Sequence, residues 1–300
     1  MQIPDKTNIC AAIITYHPDS ELSSRVCVIA RQVDKILLVD NGSNEHESDI
    51  LAETISQTGA DIIHNTSNVG IAAALNQAVE WAREHGYAWL LTMDQDTLLA
   101  ESAVSAYALA LESVNDAKVA VMGANFNDKL TGLPLMPEDS FCGSAAMDVK
   151  TVITSGSLMS MEAVDAIGRF REDFFIDYVD DEYCLRALRM GFRVMLTREP
   201  LIEHAIGSPR WHSILGRKLI SPHMSIERQY YISRNYVAMI KEFWRYERQW
   251  LVGMTKTRIK QIILLIMFED HRAVKLWYAF KGLIDGLLGR MEPLNTSPSA

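Results

Sequence analysis

Through its first half the chain alternates short apolar, β-branched runs with longer segments whose apolar positions recur every three or four residues. The short runs lie at 9–16, 35–40, 61–65, 89–93 and 119–126, each bounded by turn-forming residues, and they predict strands. The longer segments, at about 20–32, 45–58, 69–86 and 101–114, predict helices. Strand and helix in alternation point to parallel βαβ units with right-handed crossovers, hence an α/β, Rossmann-like, mostly parallel sheet flanked by helices. From 127 to 160 the pattern loosens around Gly132, Pro134, Pro137 and Gly143, then recovers over 149–161, where a second, mixed-sheet region is expected. Residues 178–190 read as a helix stopped at Gly191, followed by strand-like 192–197 and 201–205. Beyond Ser208-Pro209 the chain predicts two long basic helices, roughly 224–249 and 254–289, and a polar tail over 295–300.

Composition adds a compartment and a charge division. Hydrophobic residues make up 48% and charged residues 22% of 300 positions, which is ordinary for a globular chain able to bury a large core. Cys10, Cys27, Cys142 and Cys184 are scattered without metal-ligand spacing, so small core thiols in a reducing compartment are expected. The start lacks the basic and apolar regions of a signal peptide, and the apolar run 262–268 is only seven residues, against the ~20 that span a bilayer. A cytoplasmic location without a transmembrane helix follows as the expectation. Residues 1–204 carry 14 Lys and Arg against 31 Asp and Glu, a net −17, whereas 205–300 carry 15 against 7, a net +8. The acidic first part argues against a nucleic-acid partner.

Ligands of open α/β sheets bind beyond the carboxyl ends of the strands. Three of the predicted strands end in polar clusters, Thr15-Tyr16-His17-Pro18, Asp40-Asn41-Gly42-Ser43 and Asp94-Gln95-Asp96. Carboxylates at i and i+2 of an extended chain point to one side, so Asp94 and Asp96 can address one hard cation, unless they merely cap the next helix. Asp40 suits the imide N–H of a uracil or thymine ring, or else belongs to an Asx turn. Asn68 and Gly70 lead into an Ala-rich helix whose N-terminus offers free amides to a ligand. Asp173, Asp177, Asp180, Asp181 and Glu182 crowd a helix start, where the helix dipole favours negative charge. Phe174-Phe175-Ile176 among them predicts that part of the cluster is buried, which raises proton affinity and suits a general base.

Taken in order, "AIITYHP", "LLVDNGS", "NVGIAAALNQA", "MDQD", "TSGSLMS", "FFIDYVDDEYCLRALRMG" and "EHAIG" resemble glycosyltransferase family 2, the inverting GT-A enzymes. Within it the chain, over about 9–245, looks like the bacterial rhamnosyltransferases that build O-antigen, capsule and related polysaccharides. The resemblance implies a GT-A catalytic domain over 1–208, nucleotide-sugar-binding to about 126 and acceptor-binding beyond it, with a basic helical region over 209–300. It implies that Thr15, Tyr16, Asp40 and Asn68 line the nucleoside pocket. It also implies that Asp94-Gln95-Asp96 holds Mg²⁺ or Mn²⁺ on the diphosphate, with His204 as a further metal ligand. The general base is the second residue of the family's Glu-Asp pair. That pair reads Val179-Asp180 here, giving Asp180, with Asp181 and Glu182 as rivals.

Arg186 can assist the phosphate or pair with the acids, and the loop carrying Arg210 and Trp211 can close over the donor or anchor the tail. The implied donor is dTDP-L-rhamnose and the acceptor a saccharide or lipid-linked oligosaccharide; UDP-glucose or UDP-galactose transfer and a non-catalytic subunit are the alternatives. A nucleotidyltransferase would begin with a glycine-rich, basic phosphate loop, which Tyr16-His17-Pro18 replaces. The basic, apolar tail suits peripheral contact with an anionic membrane, or packing on the domain or on a second subunit as a homo-oligomer.

Overall fold

The structure is a computed structural model describing residues 2–114, 118–128, 132–204, 210–214, 217–221 and 223–294, with only the backbone of 128, 204, 210–214 and 217–220. The chain forms two compact units, one of residues 1–170 and 183–205, the other of 171–182 and 206–300. The elements in order are β1 (Ile9–Thr15), α1 (Leu22–Ala30), β2 (Lys35–Asp40), α2 (Ser48–Thr58), β3 (Asp61–His64), α3 (Ile71–Glu84) and β4 (Trp89–Asp94). Then come β5 (Leu98–Leu99), α4 (Ala103–Val114), β6 (Val119–Asp128), β7 (Ala146–Asp148), β8 (Ser157–Ser160), α5 (Met161–Ile167), α6 (Val179–Arg189) and β9 (Arg193–His204). The chain continues through β10 (Arg210–Ile214), β11 (Arg217–Ser221), α7 (Ile226–Phe243), α8 (Arg248–Phe268) and α9 (Arg272–Leu288).

The first unit is built on one nine-stranded sheet in the order β3-β2-β1-β4-β8-β6-β9-β5, with β7 also paired to β9. Strands β3, β2, β1 and β4 are parallel, as the alternation predicts. Every residue of β1 is buried, the pattern of a central parallel strand covered on both faces. Antiparallel β8 then lies between β4 and β6, so the mixed region is not a second sheet but a continuation of the first. The two runs 192–197 and 201–205 prove to be one strand. Pro200, which cannot donate to a ladder, sits where the β6–β9 register slips, and the irregularity lets β9 pass through it. The two-residue β5 had no periodicity to announce it.

The core is satisfied as well as filled. Trp89 and Tyr107 are essentially fully buried, and each finds a carbonyl for its polar atom: Trp89 Nε1 donates to Gln2 O (2.9 Å) and Tyr107 Oη to Gly156 O (2.6 Å). Cys10 and Cys184 are buried as expected, but Cys142 is exposed. It follows a short 3₁₀ turn in the left-handed region, a surface conformation rather than a core one.

In the second unit the two expected basic helices are three. The chain breaks after Phe243, and again at 269–271, where Glu269 turns extended and His271 takes a left-handed backbone. Arg210 and Trp211, expected on a loop, instead begin the antiparallel pair β10–β11. Helix α9 packs on α7 through small residues. A Cβ on Gly282 would stand 2.2 Å from Tyr230 O, so only glycine permits this approach.

Asn76 shows how much one buried amide contributes. Mid-helix in α3, it donates to Phe170 O (3.0 Å) and accepts from Phe170 N (2.9 Å). Asn76→Ala leaves both buried backbone groups unpaired, and chemical denaturation is expected to show a loss of about 1–3 kcal/mol.

Candidate functional site

Parallel pairing sets the tips of three strands at one level. Thr15 is the register partner of Asp40, and Ile14 that of Asp94. Asp40, at the end of β2, is only 4% exposed. Its Oδ1 accepts from Thr15 Oγ1 (3.3 Å) and from the backbone and hydroxyl of Ser43, while His64 Nδ1 lies 3.3 Å from Oδ2. The carboxylate is therefore oriented before any ligand arrives. Tyr16, one residue past β1, is 46% exposed, with its ring tilted against that of His17.

Asn41, the residue after β2, organises the loop opposite. Its Oδ1 accepts from Val69 N (3.0 Å) and its Nδ2 donates to Asn68 Oδ1 (3.0 Å), which also accepts from Gly70 N (2.9 Å). This brings backbone against backbone. Gly42, with φ +89°, lies so near Ser67 that a Cβ would meet its carbonyl carbon at 2.7 Å. Asn68 and Gly70 are thus locked beside the tip of β2 at the start of α3.

The Asp-x-Asp pair departs from its expected geometry. Asp94 ends β4, but Thr97 N donates back to Asp94 O (3.3 Å), so residues 94–97 form a turn and Asp96 is not on an extended strand. Asp94 is half-buried and Asp96 exposed. The turn is pinned at Asp94 and at Gln95. Asp94 N donates to Ser155 Oγ (3.0 Å), and Arg25 Nε donates to Gln95 O (2.8 Å). The Gln95 amide pairs with the Tyr16 backbone like a strand residue, accepting from its N–H (2.8 Å) and donating to its carbonyl (2.9 Å). Gln95 thereby ties the tip of β1 to that of β4. Arg25, itself held by Asp19 and Glu21, had no distinguishing sequence signal within α1.

The second unit holds the acidic segment. Asp180, Asp181 and Glu182 occupy the first turn of α6, where the dipole favours them. Asp180 and Asp181 are half-buried, Glu182 is 0% exposed, and Asp180 Oδ1 accepts from Asp181 N (3.0 Å). The approach is strained: Phe175, Asp177 and Tyr178 all take φ between 63° and 65°, a region costing non-glycine residues about 1–2 kcal/mol each. Helix α7 holds it there. Asn235 Nδ2 reaches the carbonyls of Phe174, Ile176 and Asp177 at 2.8–2.9 Å, and the fully buried Arg234 donates to those of Asp173 and Phe174. Arg228 forks onto Asp177 and Arg171 onto Asp173, so two of the five acids are paired structurally. Desolvation pulls the Arg234 guanidinium below its ordinary value, yet five acceptors keep it satisfied.

Arg186 Nη1 and Nη2 donate to Ile167 O and Arg169 O at 2.8 Å, closing the end of α5. His204 ends β9 and Arg210 and Trp211 open β10, but their side chains lie outside the described residues. Among the described residues no group of three or more His, Cys, Asp or Glu is arranged as a metal site.

Comparison with known proteins fits this architecture. A family model described as glycosyl transferase family 2 matches residues 10–165. The chain is 28% identical over 246 residues, 79% of this chain and 81% of the relative, to dTDP-rhamnosyl transferase RfbF of Shigella flexneri. Among solved structures it resembles the mannosyltransferase PcManGT of Pyrobaculum calidifontis, solved with GDP-Man and Mn²⁺ (TM-score 0.54, 15% identity, 96% of this chain and 89% of that one). It also resembles TarS of S. aureus (TM-score 0.54, 14% identity, 78% of this chain), spanning only 40% of that longer chain. At these identities the structural likeness is one of fold, the GT-A fold. The family match covers more than half of the chain, including β1, β2 and β4 with their aligned tips, and the chain belongs to glycosyltransferase family 2.

Proposed function

We propose that this glycosyltransferase moves L-rhamnose from dTDP-L-rhamnose to a hydroxyl of a growing cell-surface polysaccharide, with inversion at the anomeric carbon. The observation that carries the donor is the likeness to the Shigella flexneri dTDP-rhamnosyl transferase, which runs through 81% of that protein. The strand tips support it. Asp40 is a pre-oriented acceptor suited to a thymine imide N–H, Tyr16 offers an exposed ring for stacking, and Thr15, Asn68 and Gly70 complete the nucleoside side. UDP-glucose or UDP-galactose is the second reading, since Asp40 reads a uracil equally well.

Asp94 and Asp96 would hold Mg²⁺ or Mn²⁺. Two hard oxygen donors on a pinned turn suit a cation that shares its shell with substrate phosphates and water. When bound, such a cation stabilises charge on the departing diphosphate. His204 remains the candidate third ligand, and Arg210 and Trp211 the residues that close over the donor.

Asp180 is the proposed general base. It takes the acceptor's hydroxyl proton as the oxygen bonds to the anomeric carbon, and the bond to the diphosphate oxygen breaks on the opposite face, releasing dTDP. Complete burial of Glu182 counts against that rival. The proposed acceptor is a saccharide, free or lipid-linked, and the proposed location is the cytoplasm.

Purified protein offered dTDP-rhamnose, UDP-glucose, UDP-galactose and GDP-mannose separately is expected to hydrolyse dTDP-rhamnose fastest; preference for a UDP-sugar would reassign the donor. Asp96→Ala is expected to abolish metal-dependent donor binding without lowering the ligand-free melting temperature, and undiminished transfer would remove the metal assignment. Asp180→Asn is expected to bind donor normally and transfer at least ~10²-fold more slowly, with Asp181→Asn retaining most activity. The reverse pattern would move the base by one residue.

A further inference from the structure

Helix α9 is built inside out. The face it packs in the second unit carries Lys275, Ala279, Gly282, Asp285 and Gly286, all buried, whereas large apolar side chains project from the other side. Trp277 is 61% exposed, Phe280 53% and Leu287 61%, with Val274, Ile284 and Leu288 alongside. The last turns of α8 continue the pattern through Ile259, Ile263, Ile266 and Met267, each about half exposed or more. Water-facing helices ordinarily show the opposite arrangement. An apolar surface of this extent marks a site of association.

Charge identifies the occupant. Arg248, Lys256, Lys260, Arg272 and Lys281 are exposed on α8 and α9, whereas Asp285 is buried and Glu269, also buried, pairs with Lys275 at 2.6 Å. Asp270, between the two helices, is the exposed acid of this stretch. A second copy is a poor fit, because a two-fold interface sets a patch against itself and would bring these cations together. An anionic bilayer fits both features, taking cations at the headgroups and apolar side chains at the acyl boundary. Among the described residues no helix is long and apolar enough to cross a membrane. At 17 residues, α9 is roughly 25 Å long and would lie in the interface plane.

We infer that the outer face of α9, with the adjoining turns of α8, docks on an anionic lipid surface. This goes beyond the donor assignment and does not depend on it, since vesicle binding needs no nucleotide sugar. The full chain is to be sedimented with vesicles of phosphatidylglycerol and phosphatidylcholine in equal parts, and with phosphatidylcholine alone, at low and high salt. Binding is expected to the anionic vesicles only and to weaken with salt. Trp277→Glu with Phe280→Glu should weaken it at least ~10-fold, as should Lys256→Glu, Lys260→Glu and Lys281→Glu together. All these positions are exposed, so unchanged helical circular dichroism and donor hydrolysis are expected in both variants. Undiminished binding by the two variants overturns the inference. So does a parental chain that binds no vesicles but is a dimer made monomeric by Trp277→Glu with Phe280→Glu, which would assign the face to a second copy.

Discussion

Backbone hydrogen bonding between β1 and its parallel neighbours is the constraint from which the arrangement of the strand tips follows. A buried strand cannot leave its amides unpaired, so the register is fixed along the whole ladder. With Thr15 opposite Asp40 and Ile14 opposite Asp94, the polar residues ending each strand arrive at one edge without any side chain having to bring them there. Side chains then refine what the ladder sets. Gln95 imitates a strand partner for Tyr16, and Arg25 and Ser155 hold the turn beyond β4.

A different logic governs the acidic segment. Three left-handed non-glycine residues in four positions would not persist in an isolated peptide, and the α7 pair Arg234 and Asn235 holds them by bonding the surrounding carbonyls. Strain of this kind concentrates where a side chain must be presented in one orientation. It stands immediately before Asp180 and Asp181.

The alternation of β1 to β4 with α1 to α3 was legible because each strand is a short apolar run and each helix has an apolar face, both local signals. The strand ends were legible because Asp, Asn and Gly interrupt an apolar run and turn the chain, a local signal. Asn41 was visible but undervalued, since its partners Asn68 and Val69 are adjacent only in space. The same limit hid Arg25 and the Asn76 clasp on Phe170. The breaks after Phe243 and at 269–271 were missed because helix-forming residues continue through both. Ser233-Arg234-Asn235 did leave a trace, three polar residues between Ile232 and Tyr236 within a largely apolar stretch of helix, a combination that burial tolerates only when they are bonded.

That the second unit takes residues 171–182 from the middle of the chain and 206–300 from its end has a bearing on how the protein is made. The groups that hold Phe175, Asp177 and Tyr178 in place lie on α7, and Arg234 is in turn anchored by the carbonyls of Met291 and Glu292. During synthesis at roughly 5–20 residues per second, these anchors leave the ribosome on the order of ten seconds after the segment they complete. The nascent chain can close its parallel sheet early, but its acidic segment waits, unset, until the last helix has emerged. Translation itself thus orders the two units: the parallel strands first, the acidic turn last.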